Sequence, residues 1–138
     1  MTRAYILTEH AGALGSYPHA RRVGDFIYVS GTSSRRADNS HEGVTIDADG
    51  TVHKDIAAQT RAVLQNIDKI LKTADASIQD VIDVTTFLVD MKDFKGYNAV
   101  YSEFFDAHTG PTRTTVAVAE LPHPNLLIEI KAVAYKPL

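Results

Sequence analysis

GPTRTTVAVAELPHPNLLIEIKAVAYKPL, residues 110–138, contains two β-rich runs joined by a turn punctuated by Pro122 and Pro124. Each run carries one charge among apolar or small residues, Arg113 in the first and Glu129 in the second. A charge inside a strand is costly unless it is paired or used. The two charges therefore form either a structural ion pair or a functional site. Closed as a simple antiparallel hairpin across residues 120–126, the segment sets Ala119 opposite Leu127, and Arg113 opposite Val133 rather than Glu129. Either a bulge at Pro122–Pro124 shifts that register, or a site using both charges takes them from different chains. Thr115, Val116, Ala117 and Val118, with Ile128, Ile130, Ala132 and Ala134, leave both strand faces apolar or small. This pattern predicts that the second sheet face is buried against other subunits.

Working outward, Phe94 to about His108 carries Phe94, Tyr97, Val100, Tyr101, Phe104 and Phe105 and predicts a helix capped by Asp93 and ended by Gly110-Pro111. Its aromatics read as packing, and Asn98 lies on a different face from some of them. Residues 81–91, VIDVTTFLVDM, have the β-branched density of a buried strand. Asp55 to about Ala74 is the clearest helix, with Ile56, Thr60, Val63, Leu64, Ile67, Ile70 and Leu71 on one stripe. Residues 20–31 predict a hairpin turning at Gly24-Asp25 and stopping at Ser30-Gly31. Between them, residues 32–54 form a long polar loop with a small hairpin, Val44–Ile46 against Thr51–His53. The first 19 residues predict an arm with a short strand, Ala4–Leu7, and with Tyr17 in its tightest part. The order hairpin, helix, strand, helix, hairpin predicts a single α+β domain, residues 1–138, with two helices on one face of a mixed sheet.

The totals narrow the function. A 138-residue chain that is 44% hydrophobic can fill one real core. A net charge of −3 gives no reason to expect nucleic acid or an anionic membrane as partner, and it disfavours a nuclease role. Without cysteine there is no disulfide, thiolate nucleophile or cysteine-ligated metal. His41 and His53 lack a partner at metal spacing, so no metal is expected. We expect a soluble, cytoplasmic protein.

Arginine presents a fixed fork of donors that suits a carboxylate. Glu129 can accept a proton from water or hold that water against an electrophilic carbon, the more so where desolvation raises its pKa. Together they fit hydrolysis of a small carboxylate bearing a C=N bond.

Several segments resemble the Rid family, the reactive intermediate deaminases also called YjgF-like, and the resemblance runs nearly end to end. They are Gly15-Ser16-Tyr17, Val29-Ser30-Gly31, the helix from Asp55 to Asn66, the strand Asp83–Asp90, and Tyr97-Asn98 followed by Tyr101 and Phe104-Phe105. Most specific are Pro111, Arg113, Val116, Val118 and Leu121-Pro122, followed by Ile128-Glu129-Ile130 and Ala132. The resemblance implies a chorismate-mutase-like fold and a homotrimer whose sheets pack into a central barrel, with ligand clefts between subunits. It implies that Arg113 binds the substrate carboxylate and that Glu129 positions or activates water. It places Tyr17, Ser30, Gly31, Asn98 and Thr115 around the cleft, and the reaction, hydrolysis of an enamine or imine to a ketone and ammonia, needs no cofactor. Thr115 stands where many imine deaminases of the family have cysteine, which leaves only a backbone contact at that position. The start of the long loop, Gly31 to Arg36, and the segment His123–Leu127 resemble the 2-aminomuconate deaminase branch. Its substrate is a dicarboxylate, which gives Arg35 or Arg36 a physical reason to supply a second cation. The expected function is therefore deamination of 2-aminomuconate to 4-oxalocrotonate in breakdown of an aromatic compound. The alternatives are a broad-specificity 2-imino acid deaminase and a non-catalytic trimer that binds keto acids.

Overall fold

The strand Val81–Leu88 is paired along both edges, by the two segments that carry Arg113 and Glu129. In this structure, a computed structural model describing residues 1–138, the strands are β1 (Thr2–Tyr5), β2 (Ala20–Val23), β3 (Phe26–Thr32), β4 (Val44–Ile46), β5 (Val52–Lys54), β6 (Val81–Leu88), β7 (Thr112–Ala117) and β8 (Ile128–Tyr135). Two helices, α1 (Ile56–Lys72) and α2 (Phe94–Phe104), complete the fold. Six strands form one sheet in the order β1-β2-β3-β8-β6-β7, and β4 and β5 form a separate hairpin.

The final segment is not a hairpin. β7 pairs parallel with β6, β8 pairs antiparallel with β6 on its other edge, and β7 and β8 never touch as neighbours. Parallel pairing requires a crossover, and α2 supplies it. The segment joining β7 to β8 is tied to the start of α1 instead of folding as a tight turn. The buried Gln59 amide donates to Asn125 O at 2.9 Å and accepts from Leu127 N–H at 2.9 Å, and Lys54 Nζ donates to Pro124 O at 2.6 Å. The register expected for a hairpin is thus replaced by two registers against β6, Arg113 beside Val84 and Glu129 beside Phe87.

Helix α1 forms as its stripe predicts. Asp55 accepts from Ala58 N–H at 3.1 Å, a side-chain cap, and Val63, Leu64, Ile67, Ile70 and Leu71 are buried against the sheet. Each such buried aliphatic side chain contributes about 1.5–3 kcal/mol. Helix α2 departs from expectation at both ends. Asp93 makes no capping hydrogen bond; Asp90 instead caps a short 3-10 turn, Met91–Asp93, that leads into the helix. The helix stops at Phe104, not near His108, because Asp106 then organises a turn by accepting from His108 N–H and Thr109 N–H.

Both helices cover one sheet face, where Ile27, Val29, Val84, Leu88, Ile128, Ile130, Ala132 and Ala134 join the core. The alternation of β8 puts Glu129, Val133 and Tyr135 on the other face. There Phe26 and Tyr135 stack at 5.3 Å, and Tyr28 and Val116 also remain exposed. No helix is long and apolar enough to cross a membrane.

Candidate functional site

Of the residues singled out from sequence, Arg113 and Thr115 leave one face of the sheet and Glu129 the other, while Tyr17 lies on the N-terminal arm and Arg35 and Arg36 on the loop after β3. Arg113 lies on the helix face, with its guanidinium carbon 4.7 Å from the Tyr101 ring centre, 4.9 Å from Tyr97 and 5.7 Å from Phe94. It makes no salt bridge, and no protein acceptor takes any of its N–H donors. The acid nearest in sequence pairing, Asp83, accepts instead from the Thr112 hydroxyl at 2.7 Å. Thr115 follows Arg113 on the same side of β7, with its hydroxyl enclosed and unpartnered. Asn98 is half-buried on α2, one residue after Tyr97.

Glu129 lies on the other face. Its carboxylate makes no hydrogen bond or ion pair, and burial alone pushes its pKa up from the ordinary 4.5. It lies against Gly31, where an added Cβ would stand 2.7 Å from Glu129 Oε2 and 3.1 Å from Cδ. A bulge between Val29 and Thr32 produces this close approach. Gly31→Ala should therefore displace a flexible carboxylate and not the backbone. We expect turnover to fall by about 100-fold, as a misplacement of roughly 1 Å costs, with little change in melting temperature; steady-state kinetics and thermal melting check this.

Ser30, Gly31, Tyr17 and Arg35 line one cleft with His10 and His19. The arm carrying Tyr17 is held by His19, a residue that sequence patterning passed over. The His19 Nδ1 accepts from Leu7 N–H at 3.1 Å and Nε2 lies 2.7 Å from Ala11 O, which assigns the neutral Nε2–H tautomer. The Ser30 hydroxyl donates to Pro18 O at 2.7 Å, and the Tyr17 hydroxyl accepts from Leu14 N–H at 3.3 Å. Gln59 lies within the α1 segment that resembles the family, and it is fully buried and fixes the segment leading into β8.

The two loop arginines separate. Arg35 reaches into the Tyr17 cleft, donating to Gly12 O and, at 2.7 Å, to Asn39 Oδ1. Arg36 turns away, paired with Glu42 and donating to Ser40 Oγ at 3.0 Å. The structure brings neither loop arginine to Arg113. It also excludes an ion pair between Arg113 and Glu129 within one chain, since the two side chains leave opposite faces of the sheet.

The sequence matches the family model described as Endoribonuclease L-PSP over residues 8–136. The chain belongs to this family, that of the Rid or YjgF-like proteins. It is 41% identical to a RutC family protein of Pyrococcus abyssi over 99% of both chains. It is 34% identical to Escherichia coli TdcF, provisionally named a reactive intermediate deaminase, over 95% of each. Among solved Rid structures, a yeast protein superposes with a TM-score of 0.82 at 31% identity over 99% of both chains. TdcF with bound serine superposes with a TM-score of 0.78 at 33% identity, over 97% of this chain and 99% of that one. Relatives of this Rid protein are thus named as deaminases acting on reactive intermediates, and one binds a small amino acid.

Proposed function

We propose that the protein is a hydrolytic deaminase of small 2-imino carboxylates and their enamine tautomers. It works without a cofactor, in a homotrimer whose clefts join the Arg113 group of one subunit to the Glu129 group of the next. One observation carries this reading: a guanidinium with no protein acceptor and a desolvated carboxylate with no partner sit on opposite faces of one sheet. A site using both needs a second copy, and the apolar face around Phe26, Tyr28, Val116 and Tyr135 offers a surface to bury in assembling it.

In that cleft Arg113 takes the substrate carboxylate on its fork. Glu129 holds a water against the imine carbon and accepts its proton as the C–O bond forms. Glu129 gives that proton to the imine nitrogen, forming the carbinolamine. The carbinolamine's hydroxyl proton then passes through Glu129 to the same nitrogen as the C–N bond breaks, releasing ammonia and leaving a 2-oxo acid. Ser30, Gly31, Tyr17, Asn98 and the Thr115 backbone surround the reacting atoms.

Among substrates, 2-aminomuconate is favoured by Arg35, which lines the cleft of Tyr17, Ser30 and Gly31 and engages two donors of its fork within the protein. A distal carboxylate could take those that remain. Arg36, neutralised by Glu42, has no such role. The broad imino-acid reading is supported by the likeness to TdcF. Ammonia release from enzymatically generated 2-aminomuconate decides between them. Faster turnover of this substrate than of short monocarboxylate imines is expected, and the reverse order selects the broad enzyme.

A further inference from the structure

An arginine inside a protein is ordinarily oriented by its acceptors. Arg22 of this chain is an internal example: buried, it donates to Gly24 O at 3.2 Å, Lys136 O at 2.8 Å and Ala74 O at 3.2 Å. Such an arginine holds the fold and has few donors left to give. Arg113 is arranged in the opposite way. Its neighbours are π faces, which attract a guanidinium through its plane and consume no N–H.

These rings come at helical spacing, Phe94, Tyr97 and Tyr101, so α2 presents them as one surface. The surface is itself braced. Tyr97 is fully buried and its hydroxyl lies 2.6 Å from Thr86 Oγ1, while Tyr101 packs between Tyr97 at 5.6 Å and Phe105 at 4.8 Å. Tyr101 has a second peculiarity: its hydroxyl is enclosed and has no hydrogen-bond partner. A tyrosine whose hydroxyl gains nothing where it sits is held there by what its ring does.

We propose that Tyr101, with Phe94 and Tyr97, is a positioning residue for Arg113. The rings fix the guanidinium plane in place of a carboxylate partner, so that the whole donor edge stays open to an anionic ligand. This inference rests on Arg113 being the carboxylate anchor. It adds that the affinity of that anchor is set by the aromatic face of α2, which never touches the substrate.

The test compares Tyr101→Leu, Tyr101→Phe, Phe94→Leu and Arg113→Ala by calorimetric binding of 2-oxobutanoate and by steady-state kinetics. Tyr101→Leu should weaken binding by about tenfold and raise KM with kcat largely kept, since the cation–π term is lost and the chemistry is not. Tyr101→Phe keeps the ring and should restore wild-type binding. Phe94, at the surface, gives a variant whose folding is secure, and Phe94→Leu should raise the dissociation constant by about threefold. If Arg113→Ala binds as tightly as wild type, the carboxylate-anchor reading itself fails. If Arg113→Ala loses binding while Tyr101→Leu and Phe94→Leu retain it, the positioning role alone is overturned. Loss in Tyr101→Phe equal to that in Tyr101→Leu overturns it too, by assigning the effect to the hydroxyl.

Discussion

Arg113→Ala is expected to raise the dissociation constant for a simple 2-oxo carboxylate by about 100-fold or more and to abolish measurable deamination. Hydrogen bonds to charged groups contribute roughly 1.5–3 kcal/mol each, and a bidentate pair makes two of them. Each 1.4 kcal/mol is about a factor of ten. Within the chain no other cation stands beside Arg113 to compensate, because Arg36 is paired with Glu42 and Arg35 lies in the cleft of Tyr17, Ser30 and Gly31. Stability should change little, since Arg113 has no protein acceptor whose loss would leave a buried group unpaired. Arg113→Lys should recover only part of the affinity, because an ammonium offers neither a fork nor a plane to stack on the three rings. Calorimetry with 2-oxobutanoate, alongside thermal melting, checks all three statements; undiminished binding by the alanine variant would remove the carboxylate from this site.

The contrast between the two charges shows which parts of this molecule were legible in its sequence. Helix α1 is legible because the stripe from Val63 to Leu71 is a local signal, and those side chains are buried as it predicts. Arg113 and Glu129 are legible as costly charges in strands, and neither has a hydrogen-bond or ion-pair partner within the chain, Arg113 being packed on aromatic rings instead. Their spatial relation was not readable. Adjacent strands in sequence default to a hairpin, and only the insertion of β6 between β7 and β8 shows otherwise. The segment around Asn125 is in turn held by Gln59 and Lys54, contacts more than 60 residues apart in the chain. The aromatic run of α2 reads as packing, and Tyr97 is fully buried against the sheet. The same rings also hold Arg113, a second use that no periodicity can reveal because it depends on which strand lies alongside. The long loop shows the same limit: two adjacent arginines look equivalent, yet Glu42 neutralises one and the Gly12 carbonyl draws the other into the cleft.

Glu129→Gln is expected to lower kcat by about 100- to 10,000-fold while leaving 2-oxobutanoate binding within a factor of about three, the separation that distinguishes an enzyme from a keto-acid-binding protein. The amide keeps the shape beside Gly31 but cannot accept the proton of water. Because burial raises the pKa of Glu129, kcat/KM of the wild type should climb with pH through a limb above the ordinary glutamate value of 4.5. The stability effect has the opposite sign. A carboxyl whose pKa is raised by folding contributes fully below its unfolded value, and that contribution is lost as pH rises through the raised native one. Glu129→Gln should therefore melt at or above the wild-type temperature at neutral pH, with the difference vanishing in acid. Mixing resolves where the groups meet. If each cleft joins Arg113 of one subunit to Glu129 of another, exchange between Arg113→Ala and Glu129→Gln proteins creates some clefts with both native groups, and activity returns. A cleft built within one chain cannot be repaired by exchange, and continued inactivity after demonstrated subunit mixing would place both groups in a single subunit.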